Sequence, residues 1–166
     1  IPNRSILFNG VELQPDPRWT IAPTADRWAT AETVSAIEAA VDTVLELFPD
    51  SPPITIGDIS AREGGRLKRH KSHQGGRDVD FGFFYLQGRG AWYVPGTPKN
   101  LDAPRNWAFV RALVTRTDVE TILVDTRIQR VLYKYALSIG EDKTWLDHVF
   151  GFARGYRGAK VVHVAG

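Results

Sequence analysis

His70-Lys-Ser-His-Gln-Gly-Gly-Arg-Asp-Val-Asp80 is the stretch from which this chain is read. It gathers two histidines and two aspartates around a Gly-Gly pair, and the chain then turns apolar and aromatic at Phe81, Phe83, Phe84 and Tyr85. That change predicts a loop feeding a buried strand over residues 78–85. Side chains alternate across a strand, so Asp78 and Asp80 are expected on one face, with Val79 and Phe81 on the other. Gly75 and Gly76 permit a sharp turn that folds His73 back over the face carrying Asp80. Imidazole nitrogen together with carboxylate oxygen suits zinc, although a catalytic zinc takes three protein ligands and this pair supplies two. The plainer reading is a polar loop whose His and Asp bond each other at the start of a core strand.

Upstream, residues 1–29 hold Pro2, Pro15, Pro17 and Pro23 with little periodicity and read as an irregular N-terminal arm. Val34, Ile37, Val41, Val44, Leu45 and Phe48 then recur at helical spacing, with Thr30 as N-cap and Pro49, Pro52 and Pro53 as the stop. Residues 54–58 alternate and are β-branched, which predicts a short strand. A basic, glycine-rich loop over 64–76 delivers the motif. Downstream, 86–90 reads as a hairpin turn into a strand at 91–94, and a helix begins near Asp102 with Pro104 in its first turn. Trp107, Val110, Leu113 and Val114 give that helix its inward stripe. Further expectations are a strand at 119–124, a helix over 126–138 ended by Gly140, a short helix around Trp145 to Phe150, and a last strand at 160–164.

Helices and strands mix without a βαβ rhythm. The expected fold is α+β, a mainly antiparallel central sheet flanked by helices, as a single domain over 1–166. Composition is ordinary for a globular protein at 43% hydrophobic and 24% charged, and no apolar run suggests a membrane span. The absence of cysteine excludes disulfides and cysteine-ligated metal. No methionine occurs, so the natural N-terminal end is expected to be missing, and the C-terminal end with it. The net charge is only +2, yet Arg62, Arg66, Lys68, Arg69 and Lys71 cluster beside the motif, where they would attract acidic partners.

Ser72-His-Gln-Gly-Gly-Arg-Asp-Val-Asp80, preceded by Gly57-Asp-Ile-Ser60, Gly64-Gly65 and His70, resembles the His-x6-Asp signature of the penicillin-insensitive murein endopeptidases. These belong to a group with lysostaphin-type and D-Ala-D-Ala metallopeptidases. Asn9-Gly-Val-Glu-Leu13 is similar to the family's N-terminal segment. The resemblance implies the same α+β fold, Zn2+ as cofactor, and His73 and Asp80 as metal ligands. It also implies a terminal His-x-His pair, giving a third ligand and a catalytic histidine, which would lie beyond Gly166. His70 has a counterpart in the family pattern that helps hold an additional metal in some members. The other ligands of that metal are not recognisable in this chain, so His70 is expected equally to be structural or to face substrate. Asp78, sharing a face with Asp80, is expected either to orient an imidazole or to hydrogen-bond the loop backbone. His163, on the last predicted strand, is expected near the site and closes it only if no such pair follows. His148 reads as a packed surface or core histidine, and Trp92, Tyr93 and Trp107 as core residues that would stack on sugar or peptide only if one lined a cleft edge.

The function implied is a zinc endopeptidase cutting peptide cross-links of bacterial peptidoglycan, periplasmic or secreted, with stem peptides as partners and no nucleic acid. Two rivals remain. One is an inactive wall-binding relative. The other is a metal-dependent nucleic-acid-binding protein using the basic loop, which lacks an aromatic stacking platform.

Overall fold

The computed structural model describes residues 6–23, 25–68, 70, 72–88, 94–154 and 158–163. In chain order the elements are β1 (Val11–Glu12), β2 (Trp19–Ile21), β3 (Trp28–Ala29), α1 (Ala31–Leu47), β4 (Ile54–Ile56), α2 (Ala103–Arg116), β5 (Ile122–Leu123), α3 (Thr126–Ser138), α4 (Lys143–Val149), α5 (Gly151–Arg154) and β6 (Val161–Val162).

The helices start where local chemistry dictates. Thr30 accepts from the Thr33 N–H at 3.2 Å, one of the donors that a first helical turn leaves without a partner. Asp102, Asp125 and Asp142 do the same for α2, α3 and α4. Ile37, Ala40, Val41 and Val44 bury one stripe of α1, which packs on α2. The Phe48 N–H closes onto the Val44 carbonyl, and the prolines that follow prevent another turn.

Helix α2 is buried on two sides. Ala108, Phe109, Ala112 and Leu113 join the first core with α1, β2, β4, Ile59 and Phe84. Trp107 and Val110 join a second core with Ile128, Leu132, Leu146, Phe150 and Val161. There the Trp107 and Phe150 rings stack with centroids 5.9 Å apart, a pairing worth about 0.5–1.5 kcal/mol beyond its buried area.

The expected central antiparallel sheet is not what forms. Among the described residues the strands make three two-stranded sheets: β1–β3 is antiparallel, while β2–β4 and β5–β6 are parallel. The predicted strand over 78–85 is the instructive correction, because its backbone groups are shared among three different partners. Asp80 and Gly82 bond across to Gly57 and Thr55, flanking a single antiparallel bridge between Phe81 and Ile56. At Phe84 a side chain takes over: Asn106 accepts from the Phe84 N–H at 3.1 Å and donates to its carbonyl at 2.7 Å. Tyr85 then bridges Leu101. An apolar stretch so satisfied needs no continuous ladder.

The segment read as an irregular arm carries β1, β2 and β3, and Leu13, Trp19, Ala22 and Ala29 are buried. The helix over 126–138 forms with the expected bounds. The strand expected over 119–124 shortens to β5. Most of the 86–94 hairpin, with Trp92 and Tyr93, lies outside the described residues, as does Val164.

Candidate metal centre

The His/Asp loop is held from both ends by glycine geometry. Gly64 has φ +74, and a Cβ there would stand 2.5 Å from the Gln74 carbonyl oxygen and 2.5 Å from the Leu7 nitrogen. The Gly65 N–H donates to that same Gln74 carbonyl at 2.9 Å. Gly76, at φ +68, accepts through its carbonyl from the Thr30 N–H, which ties the loop to the start of α1. Between these anchors His73 itself adopts φ +58, a left-handed conformation uncommon for a residue with a side chain. The Asp78 carboxylate accepts from the His73 N–H at 3.1 Å and closes the turn.

That turn buries His73 and aims its ring at Asp80, with Nε2 3.2 Å from Asp80 Oδ1. Asp80 is in turn pinned by its own backbone: its N–H donates to the Asp58 carbonyl and its carbonyl accepts from the Gly57 N–H. The other imidazole nitrogen, Nδ1, lies 3.4 Å from the Asp78 carbonyl oxygen. Burial pulls the His73 pKa down, but the hydrogen bond and charge of Asp80, with smaller contributions from Asp78, outweigh it. The pKa therefore lies above the ordinary histidine value.

His70 stands edge-on to His73 with ring centroids 4.8 Å apart. Together His70, His73 and Asp80 offer donor atoms that all lie within 4.8 Å of one another, a group that can hold a metal ion. The fit to zinc is good where it is tightest. Donors about 2.0–2.1 Å from a tetrahedral ion stand about 3.3 Å apart, and the His73–Asp80 separation is 3.2 Å.

Asp58 was missed as a site residue. Its Oδ2 lies 2.9 Å from His70 Nε2, and its Oδ1 accepts from the Asp26 N–H at 2.9 Å. Its place at the end of the predicted strand over 54–58 and in the Gly57-Asp-Ile-Ser60 lead-in hinted at a role, but the partner, His70, lies twelve residues on.

The remaining candidates fall elsewhere. His163 is exposed, and its Nδ1 accepts from the Thr126 N–H at the start of α3 at 3.3 Å; it is not in the metal-binding group. His148 is exposed on α4, with Nδ1 bonded to the Thr144 carbonyl. Trp107 is buried in the second core. Arg62, Arg66 and Lys68 are exposed, with Arg62 lying over the Trp28 ring, while Arg69 and Lys71 lie outside the described residues.

No curated protein compared with this chain matches it. A protein-family model does, over residues 19–91, a span from β2 through the whole His/Asp loop that ends before α2. The match supports a peptidase, a hydrolase acting on the peptidoglycan of cell walls. The family whose sequence pattern this segment carries, with His70, His73 and Asp80 inside it, is the penicillin-insensitive murein endopeptidases.

Proposed function

We propose that this protein is a zinc metallopeptidase that hydrolyses peptide cross-links of bacterial peptidoglycan, working in the periplasm or outside the cell. The observation that carries this reading is the convergence of His70, His73 and Asp80 within the family-matched segment. Zinc held there would supply Lewis acidity towards a peptide carbonyl and lower the pKa of water towards neutrality.

The chain's own residues contribute rigidity and charge. The Asp78 carboxylate holds the turn at His73, and the Asp78 carbonyl faces Nδ1, so the ring presents Nε2 towards Asp80. The bonds of Asp80 to Asp58 and Gly57 keep its carboxylate in place before any cation arrives. Preorganisation of this kind spares the site the cost of ordering its donors on binding. Exposed Arg66 and Lys68 on the same loop favour acidic stem peptides. No described helix is long and apolar enough to cross a membrane.

The test is zinc binding by calorimetry, alongside release of cross-linked muropeptides from purified peptidoglycan. One tightly bound zinc and a chelator-sensitive activity, both lost in His73→Ala, are expected. Zinc-free peptidoglycan cleavage, or zinc binding that survives His73→Ala with Asp80→Ala, would overturn the reading.

A further inference from the structure

Among the described residues Asp58 makes two well-separated contacts, and their chemistry limits what His70 can do. A carboxylate only accepts hydrogen bonds. Oδ1 takes the Asp26 N–H at 2.9 Å, and Oδ2 faces His70 Nε2 at 2.9 Å. The second contact is a hydrogen bond only if Nε2 carries the proton. In the neutral ring the lone pair then resides on Nδ1, the atom left to coordinate a cation. Asp58 is buried and sits directly after Gly57 and β4, whose pairing with residues 80–82 also places Asp80. One short segment thus positions two of the three donors: Asp80 through backbone bonds and His70 through a side chain.

We infer that Asp58 is a positioning residue for the metal centre, holding His70 in the Nε2–H tautomer so that Nδ1 is its metal-binding atom. The inference rests on the proposal that this cluster binds zinc and adds the atom used and the residue that selects it. His70 and His73 then coordinate through different nitrogens, Nδ1 and Nε2, because one ring is braced by a carboxylate and the other by the Asp78 carbonyl. Carboxylates behind metal-binding histidines fix tautomer and ring orientation in this way, and their loss weakens metal binding about 10- to 100-fold.

Two measurements decide it. Long-range 1H–15N correlation spectra of the unmutated, metal-free chain read the His70 tautomer directly, and Nε2–H is expected. Zinc titration of Asp58→Asn then tests the consequence, because a carboxamide offers one acceptor oxygen to two donors. Zinc affinity is expected to fall about 10- to 100-fold while the 15N shifts of His73 and the thermal midpoint in chelator stay close to those of the unmutated chain. The Nδ1–H tautomer in a chain that binds zinc, or unchanged zinc affinity in Asp58→Asn, would overturn the role of Asp58 alone. Absence of zinc binding by the unmutated chain would overturn the metal reading and this role together. Should Asp58→Asn fail to fold, the tautomer of the unmutated chain carries the decision.

Discussion

His73 Nε2 and Asp80 Oδ1 face each other at 3.2 Å across the loop that the glycines shape. The two groups already stand at the spacing a tetrahedral zinc requires, so metal binding should need little movement of either residue. Zinc at about a hundredfold over its dissociation constant is expected to stabilise the fold by about 2.7 kcal/mol. Thermal melts with zinc and with chelator check this. In His73→Ala the two curves should superimpose, and a remaining zinc-dependent shift would contradict the assignment.

Gly64→Ala should damage both stability and metal affinity. The new Cβ would stand 2.5 Å from backbone atoms of Gln74 and Leu7, at φ +74, where neither neighbour is a flexible side chain. The left-handed conformation alone costs roughly 1–2 kcal/mol, and the clash adds to it. Urea unfolding should show an unfolding free energy lowered by more than this conformational cost. By contrast Gly65, which also has positive φ but open space around its Cβ position, should lose only the conformational part on substitution.

Asn106→Ala probes the break in the predicted strand. It removes the acceptor for the Phe84 N–H and the donor to the Phe84 and Asp102 carbonyls. The Phe84 carbonyl keeps the Asp102 N–H, but the Phe84 N–H loses the partner seen here. A destabilisation of about 1–3 kcal/mol is expected. Amide hydrogen exchange at Phe84 should accelerate more than at Gly82, whose bond to Thr55 is untouched.

The Asp125 carboxyl caps α3 and is held down at about 2 from an ordinary 3.8, first by the Arg127 side chain, then by the Arg127 N–H, with a smaller contribution from His163. A depressed folded-state pKa contributes stability above the unfolded value that is lost as pH falls through the folded one. The contribution should therefore be intact above pH 3.8 and fade between there and about 2. Carbon-detected NMR titration of Asp125 reads the pKa directly. Replacing Arg127 with alanine should move it back towards 3.8, and an unchanged value would assign the shift to the helix terminus instead.

Arg66 and Lys68 are exposed on the loop that leads into the site, so their effect on an acidic substrate should be electrostatic and screened by salt. Replacing both with serine is expected to weaken binding of a carboxylate-rich stem peptide by ~0.2–1 kcal/mol for each charge at low ionic strength. The difference should shrink as salt is raised towards 1 M, where the screening length is about 3 Å. An effect independent of salt would mean direct, shape-specific contact.

What the sequence determined by itself was whatever depends on neighbours along the chain. Thr30, Asp102 and Asp125 cap helices because a side-chain oxygen reaches an N–H within three residues, and the stripes of α1 and α3 follow from a period of 3.6. The His73–Asp80 pair was legible for the same reason: a glycine-rich turn folds seven residues of chain back on itself. The sheet was not legible. Residues 78–85 have the composition of a strand, but whether their N–H and C=O groups meet one strand or three unrelated partners depends on where Asn106 and Leu101 arrive. Nor was Asp58 behind His70 legible, since a hydrogen bond between residues twelve apart exists only once β4 and the 80–82 segment pair. Periodicity reports which face of an element is apolar; the identity of what covers that face, or bonds its edge, belongs to the packed chain.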